Sequence, residues 1–272
     1  MSAPAALITR RFIVLLALAL VALASSSAAQ AAGVNCVKPL DLVSAHQDLS
    51  ACNLKGLTIG DTADNALNGS NLSGANLKGA TIGTTHEGTL EDANLTMANL
   101  NGVTVGGIGT FDSANLSGAS LLKATINPDD AFVAANLTGA NLNGIQITGG
   151  VSEAFQFATL DGASLRGASI AGDFSFDFAT LNGADLTGAT ISADYAFTGI
   201  NIQMSSLAGA SLRGATISGS NSFTYSDLTG ADLTGAIVTG SNDFQNALFS
   251  NTTCPDGTNS DNDAGTCVGH GI

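Results

Sequence analysis

The chain has 272 residues, among them 33 glycines and no tryptophan, and its hydrophobic fraction of 44% is inflated by alanine. Eight basic residues stand against 22 acidic ones, a net charge of −14 that disfavours nucleic acid and anionic membrane as partners. Length alone suggests one or two domains, but a fixed internal period marks a solenoid instead.

Residues 1–31 read as a secretory signal peptide. Arg10 and Arg11 precede an apolar run over 12–24, and a small-residue stretch follows in which Ala29, Gln30 and Ala31 offer a cleavage site. The run is short for a membrane span and no second one follows, so the expectation is no membrane insertion after cleavage. No cysteine stands at the cleavage point to carry a lipid. The mature chain is therefore expected in a bacterial periplasm or outside the cell. Cleavage removes two of the eight basic residues and none of the 22 acidic ones, leaving six against 22, a net charge of −16.

Export accounts for the cysteines. Cys36, Cys52, Cys254 and Cys267 fall in two pairs at opposite ends of the mature chain, which in an oxidising compartment argues for disulfides Cys36–Cys52 and Cys254–Cys267. Each closes a short loop, worth roughly 3 kcal/mol in the chain-entropy model. No His–Cys spacing supports metal ligation.

From residue 49 to residue 249 the chain repeats every five residues. In the clearest stretch Leu116, Leu121 and Ile126 recur, each preceded two residues earlier by an alanine, Ala114, Ala119 and Ala124. A period of five matches neither a helix nor a strand. It matches a coil with flat sides of five residues, each turning one apolar and one small residue inward. The apolar residues fall in rows of four, such as Leu67, Leu72, Leu77, Ile82 and Phe132, Leu137, Leu142, Ile147. A partial row (Leu49, Leu54, Ile59) precedes the full ones, and Phe244 begins another. Extra residues always fall between the fourth side and the first, the largest insertion being near 192–201. Glycines such as Gly118, Gly139 and Gly144 are placed for the positive φ of a tight corner. Asn71, Asn94, Asn115 and Asn136 are expected to face out and hydrogen-bond along the rod. The first side departs from the pattern two places before its apolar residue, carrying Gly109, Asp130 and Glu153 there.

These units, reading Ala-Asp/Asn-Leu-x-x, resemble those of the pentapeptide-repeat family over most of the mature chain. The resemblance implies an all-β fold, a right-handed quadrilateral β-helix of about nine coils. Open ends need caps. Residues 32–48 and 250–272 are assigned to them, the second closed by its disulfide.

Three outward features are candidates for function. Lys55, Lys78, Lys123, Arg166 and Arg213 all belong to the third side, opposite an acidic corner, and form a possible interaction face; a merely solvated surface is the plainer reading. Thr58, Thr81, Thr104, Thr125, Thr190 and Thr216 make a ladder on the fourth side that resembles the ice-binding face of antifreeze solenoids. β-Branched residues also simply suit an extended side. In the tail, Asp256, Asn259, Asp261 and Asp263 offer oxygens at spacings a Ca²⁺ loop could use, without the glycine and terminal glutamate of an EF-hand.

Enzyme signatures are missing. His46, His86 and His270 lie far apart in sequence, and no nucleophile or metalloprotease motif occurs. The sequence reads as an exported, non-catalytic structural or interaction module, without cofactor, monomeric or weakly self-associating, whose partner is a protein or envelope polymer. Two alternatives share the scaffold. One is a DNA-mimic inhibitor of a topoisomerase, as some acidic members of the family are; export and the lack of an apolar dimerising tail oppose it. The other is ice binding through the threonine ladder.

Overall fold

The computed structural model describes residues 45–60, 67–83, 87–127, 130–148, 153–172, 175–192, 206–219 and 223–272. Their local rule is a turn every five residues. The Ala119 amide donates to the Leu116 carbonyl at 2.9 Å while Gly118 between them holds φ at +65°. Glycine takes that φ without steric cost, which is why the repeat supplies it. Asn115 secures the same turn, its side-chain oxygen accepting from the Ser117 amide at 3.1 Å and hydroxyl at 2.7 Å.

Between turns the chain is extended for two or three residues only, so each side must pair with the same side of the next coil. Leu116 donates to the Asn136 carbonyl at 2.7 Å, and Asn136 donates back to that of Ala114 at 2.9 Å. The fourth sides form nine strands: β1 (Thr58–Ile59), β2 (Thr81–Ile82), β3 (Thr104–Val105), β4 (Thr125–Ile126), β5 (Gln146–Ile147), β6 (Ser169–Ala171), β7 (Thr190–Ser192), β8 (Thr216–Ser218) and β9 (Ile237–Thr239). They pair in sequence order, all parallel, from Thr58↔Thr81 to Thr216↔Ile237. The second and third sides carry parallel ladders of their own, through Asn71, Asn94, Asn115 and through Asn76, Asn99, Ser120. As expected, side chains follow the ladder, Asn94 donating to Asn71 at 3.2 Å. The fold is an all-β parallel solenoid.

The inward residues of the four sides stack into columns. From Leu67 to Leu233 the apolar residues of the described rows are at most 2% exposed, and the alanines beside them are buried too. Each buried Leu or Phe contributes roughly 1.5–3 kcal/mol, and alanine fits beside it where a larger group would break close packing. On the first side Phe111, Phe132, Phe155 and Phe176 stack with centroids 5.1–5.2 Å apart and planes within 9°. Ile202, assigned inward, lies outside the described residues. Val238, assigned to the last full row, is only partly buried.

The first side solves its missing alanine by a different turn. The small residue immediately before the apolar one is buried there: Thr89, Thr110, Ala131, Ala154 and Ser175. Two turns follow one another, with φ of +61° at Gly109 and +55° at Ser113. Residues after the apolar one are drawn in as a result. Asp177, expected at a solvated corner, is 5% exposed.

The C-terminal cap replaces a further coil. Thr253 pairs in parallel with Asp232 and then antiparallel with Asn259, so the chain doubles back over the third side. A 3-10 turn, Ser260–Asn262, follows, with the Asn259 side chain accepting from the Asp261 amide at 3.0 Å. Buried Ser260 bonds the Phe249 carbonyl and accepts from the Thr252 amide at 3.0 Å. Cys254 and Cys267 are fully buried and joined by a disulfide with a Cα–Cα distance of 5.3 Å. Cys52 is buried in the small inward place before Leu54 and is disulfide-bonded; its expected partner Cys36 lies outside the described residues.

Candidate functional site

The repeat places every candidate on an outer face, since the inward positions belong to the core. On the third side Lys55, Lys78, Lys123, Arg166 and Arg213 are all exposed. Lys123 stands at the corner itself, with φ +55°. The two arginines reach forward one coil: Arg166 pairs with Asp185 and Arg213 with Asp232, each Nη1–Oδ2 at 2.9 Å. Burial raises both aspartates, but hydrogen bonds from Thr187 and Thr234 and from the two guanidiniums more than offset it, leaving both below the usual carboxylate value. The basic face is thus partly compensated from within, by exposed pairs of small net energy.

On the fourth side Thr58, Thr81, Thr104 and Thr125 stand in continuous register on β1 to β4. Gln146 and Ser169 interrupt the row, Thr190 and Thr216 resume it, and Ile237 ends it.

In the cap, Asp256, Asn259, Asp261 and Asp263 are all engaged by groups of the cap and the last coil. Asp256 Oδ1 accepts from the Thr258 amide and hydroxyl at 2.9 and 2.6 Å. Asn259 caps the 3-10 turn, and Asp261 accepts from the Asn251 amide at 2.7 Å. His270 lies between the remaining carboxylate oxygens, Nδ1 2.8 Å from Asp256 Oδ2 and Nε2 2.6 Å from Asp263 Oδ2. Among the described residues no group of three or more His, Cys, Asp or Glu could hold a metal ion. His270 stands where a cation between these carboxylates would have to go.

The acidic first side contains a perturbed group. Asp112 is raised to about 7, first by burial and then by Asp130 and Glu91, although a hydrogen bond from the Val133 amide pulls the other way. Its Oδ1 is buried without a hydrogen-bond partner. Finally, the corner joining the first side to the second carries aromatic residues outside: Phe157 and Tyr225 are 54% and 50% exposed, and Phe157 stacks on Phe178 at 5.1 Å.

Residues 197–242 match the family model for pentapeptide repeats, in eight copies. Those residues carry pentapeptide repeats. Among solved structures it is similar to HetL, a pentapeptide-repeat protein involved in heterocyst differentiation regulation in Nostoc sp. strain PCC 7120. The two are 23% identical, over 79% of this chain and 92% of that one, with a TM-score of 0.33. Trypsin-treated QnrB1, a plasmid-mediated fluoroquinolone resistance protein, is 17% identical over 72% of this chain and 89% of its own, TM-score 0.29. Rfr23 from Cyanothece 51142 is 20% identical over 73% and 88%, TM-score 0.22. The curated proteins yielded no match.

Two features of this pentapeptide-repeat rod were not expected from the sequence. His270 belongs to no motif and follows Asp256 by 14 residues; only the fold of the cap brings it to Asp256 and Asp263. The aromatic corner did leave a signal, since Phe157, Phe178 and Tyr225 occupy the place in the unit where other corners have glycine.

Proposed function

We propose that this chain is an exported, non-catalytic solenoid that acts as a structural or interaction module, engaging a protein or envelope polymer through its outer faces. The observation that carries the reading is the filled interior. With the inward positions taken by a continuous apolar core, chemistry is left to the outside, where side chains recur once per coil in fixed register. A periodic surface of that kind suits an extended partner. The third side, with its five exposed cations on an otherwise acidic chain, is the face we assign to it.

The test is capture from periplasmic and envelope extract by the oxidised, secreted protein, beside a K78E/R166E/R213E variant. A partner held by the first and lost by the second supports the assignment; no partner, or one indifferent to those charges, overturns it. Intact mass of the secreted protein checks export, the expected first residue being Ala32. A second reading, ice binding, is favoured by the unbroken register of Thr58, Thr81, Thr104 and Thr125. Thermal hysteresis lost on Thr81→Lys and Thr104→Lys would support it, and no hysteresis in the native protein would end it.

A further inference from the structure

One corner of the rod departs from the glycine rule. Where the first side turns into the second, Asp92, Ser113, Ala134, Phe157, Phe178 and Tyr225 hold φ between +55° and +60°. For a bulky residue this backbone conformation is an outlier, maintained against repulsion between Cβ and the backbone. Gly69 occupies the same corner at the other end of the rod with φ +61°, so glycine fits there. Burial does not account for the aromatics either, because the first side already has its phenylalanine column inside. Two large rings, Phe157 and Tyr225, are thus exposed at a strained position, and the half-buried ring of Phe178 stacks on the first of them. Local structure alone does not require them.

The chemistry around the rings selects a partner. Phe157 and Phe178 are stacked within 8° of parallel, so they cover each other's faces and turn their edges outward, a surface for aliphatic groups. From residue 153 to residue 249 the charged residues described on the two flanking sides and not buried are Glu153, Asp161, Asp227 and Asp243, all acidic. Lysine and arginine satisfy both features, with an aliphatic stem along a ring edge and a cationic head at a carboxylate. The ring spacing of 5.1 Å is close to the pitch of an α-helix, about 5.4 Å, so a helix laid along the rod presents one side chain to each coil.

We propose that this ridge, the stacked pair Phe157 and Phe178 with Tyr225 two coils further along the same corner, is the docking surface for a basic amphipathic helix of a partner protein. The inference rests on the reading of the outer faces as interaction surfaces, and adds a second face and the chemistry of what it binds.

The test titrates a fluorescent amphipathic peptide of leucine and lysine with the full oxidised protein, following anisotropy. The native protein should bind at least about ten-fold more tightly than an F157G/F178G/Y225G variant, a difference that salt diminishes. A leucine–glutamate peptide of equal length should not bind. Because glycine suits the corner's φ, the triple variant should keep or raise its Tm. Equal affinity in the two proteins overturns the proposal. So does a Tm lower by more than roughly 5 °C in the variant, which would make the ridge a strut between coils. Self-association in sedimentation that disappears in the variant would assign the ridge to a second copy and overturn it as well. The K78E/R166E/R213E protein should bind the peptide at least as tightly as the native one, so failure at the ridge and failure at the third side are told apart.

Discussion

The middle of the rod and its C-terminal cap solve the same problem by opposite means. Between Phe111 and Ile191 each coil is satisfied by its neighbours: backbone groups bond to the next coil, and the interior is almost wholly apolar. At the cap no neighbour follows. Polar side chains take over, Ser260 and Thr252 bonding backbone carbonyls from buried positions, and a disulfide fixes the fold that the repeat no longer dictates. Repetition makes the middle robust through packing, whereas the cap depends on a few individual bonds. The two regions should therefore fail differently.

The largest effect is expected from placing a charge in the middle. Leu142 is fully buried, and Leu142→Lys should cost more than about 4 kcal/mol, because the ammonium has no partner in the stack. Val268→Lys in the cap, at a side chain 58% exposed, should change stability by no more than about 0.5 kcal/mol. Comparable melting of the two variants would break the contrast.

Next is the disulfide. C254A/C267A should lose roughly 3 kcal/mol locally, by the loop-closure argument. Hydrogen exchange should show the cap and the coil containing Leu228 and Leu233 losing protection, while the Leu116–Leu142 region keeps it. Uniform loss along the rod would mean that the cap is not a separate unit.

How much of this was legible follows from the same contrast. The five-residue period gave the core of the middle residue by residue, because a solenoid translates sequence spacing directly into position. It failed where the period is broken. On the first side the buried small residue moves one place along, to Thr110 and Ala131, so that Asp177 is drawn inward rather than left in solvent. In the cap, four side chains spaced like calcium ligands are consumed by turns, a 3-10 cap and His270, contacts that depend on where the chain doubles back. No local pattern encodes that return.

A smaller effect separates two kinds of corner. Gly139 has φ +64° and open space where a Cβ would go, so Gly139→Ala should cost about 1 kcal/mol through backbone strain alone. Ala134→Gly, at φ +57° on the first-side corner, should move stability the other way. If both variants destabilise equally, the φ argument for that corner is wrong.

Acidity gives the subtlest contrast, because each region has its own titrating group. In the cap, hydrogen bonds to Asp256 and Asp263 raise His270 above its usual 6.5. Its contribution is complete below 6.5 and is lost as pH rises through the raised value. Asp256, lowered to about 2 chiefly by hydrogen bonds from Thr258, loses its share only as pH falls from 3.8 through that value. The cap should then be tightest between 3.8 and 6.5. In the middle, burial raises Asp112 from 3.8 to about 7, so the folded coil prefers the protonated acid and weakens as pH rises across that interval. Both regions loosen as pH rises, the middle between 3.8 and about 7 and the cap above 6.5, for unrelated reasons, and two variants separate them. Asp112→Asn should remove the pH dependence of amide exchange around the first side of the middle coils and leave the cap's intact. His270→Gln should open the cap at every pH and abolish its dependence on pH above 6.5. If cap exchange in the native protein is flat over that range once intrinsic exchange is corrected, His270 does not hold the cap closed, and the disulfide with Ser260 must do so alone.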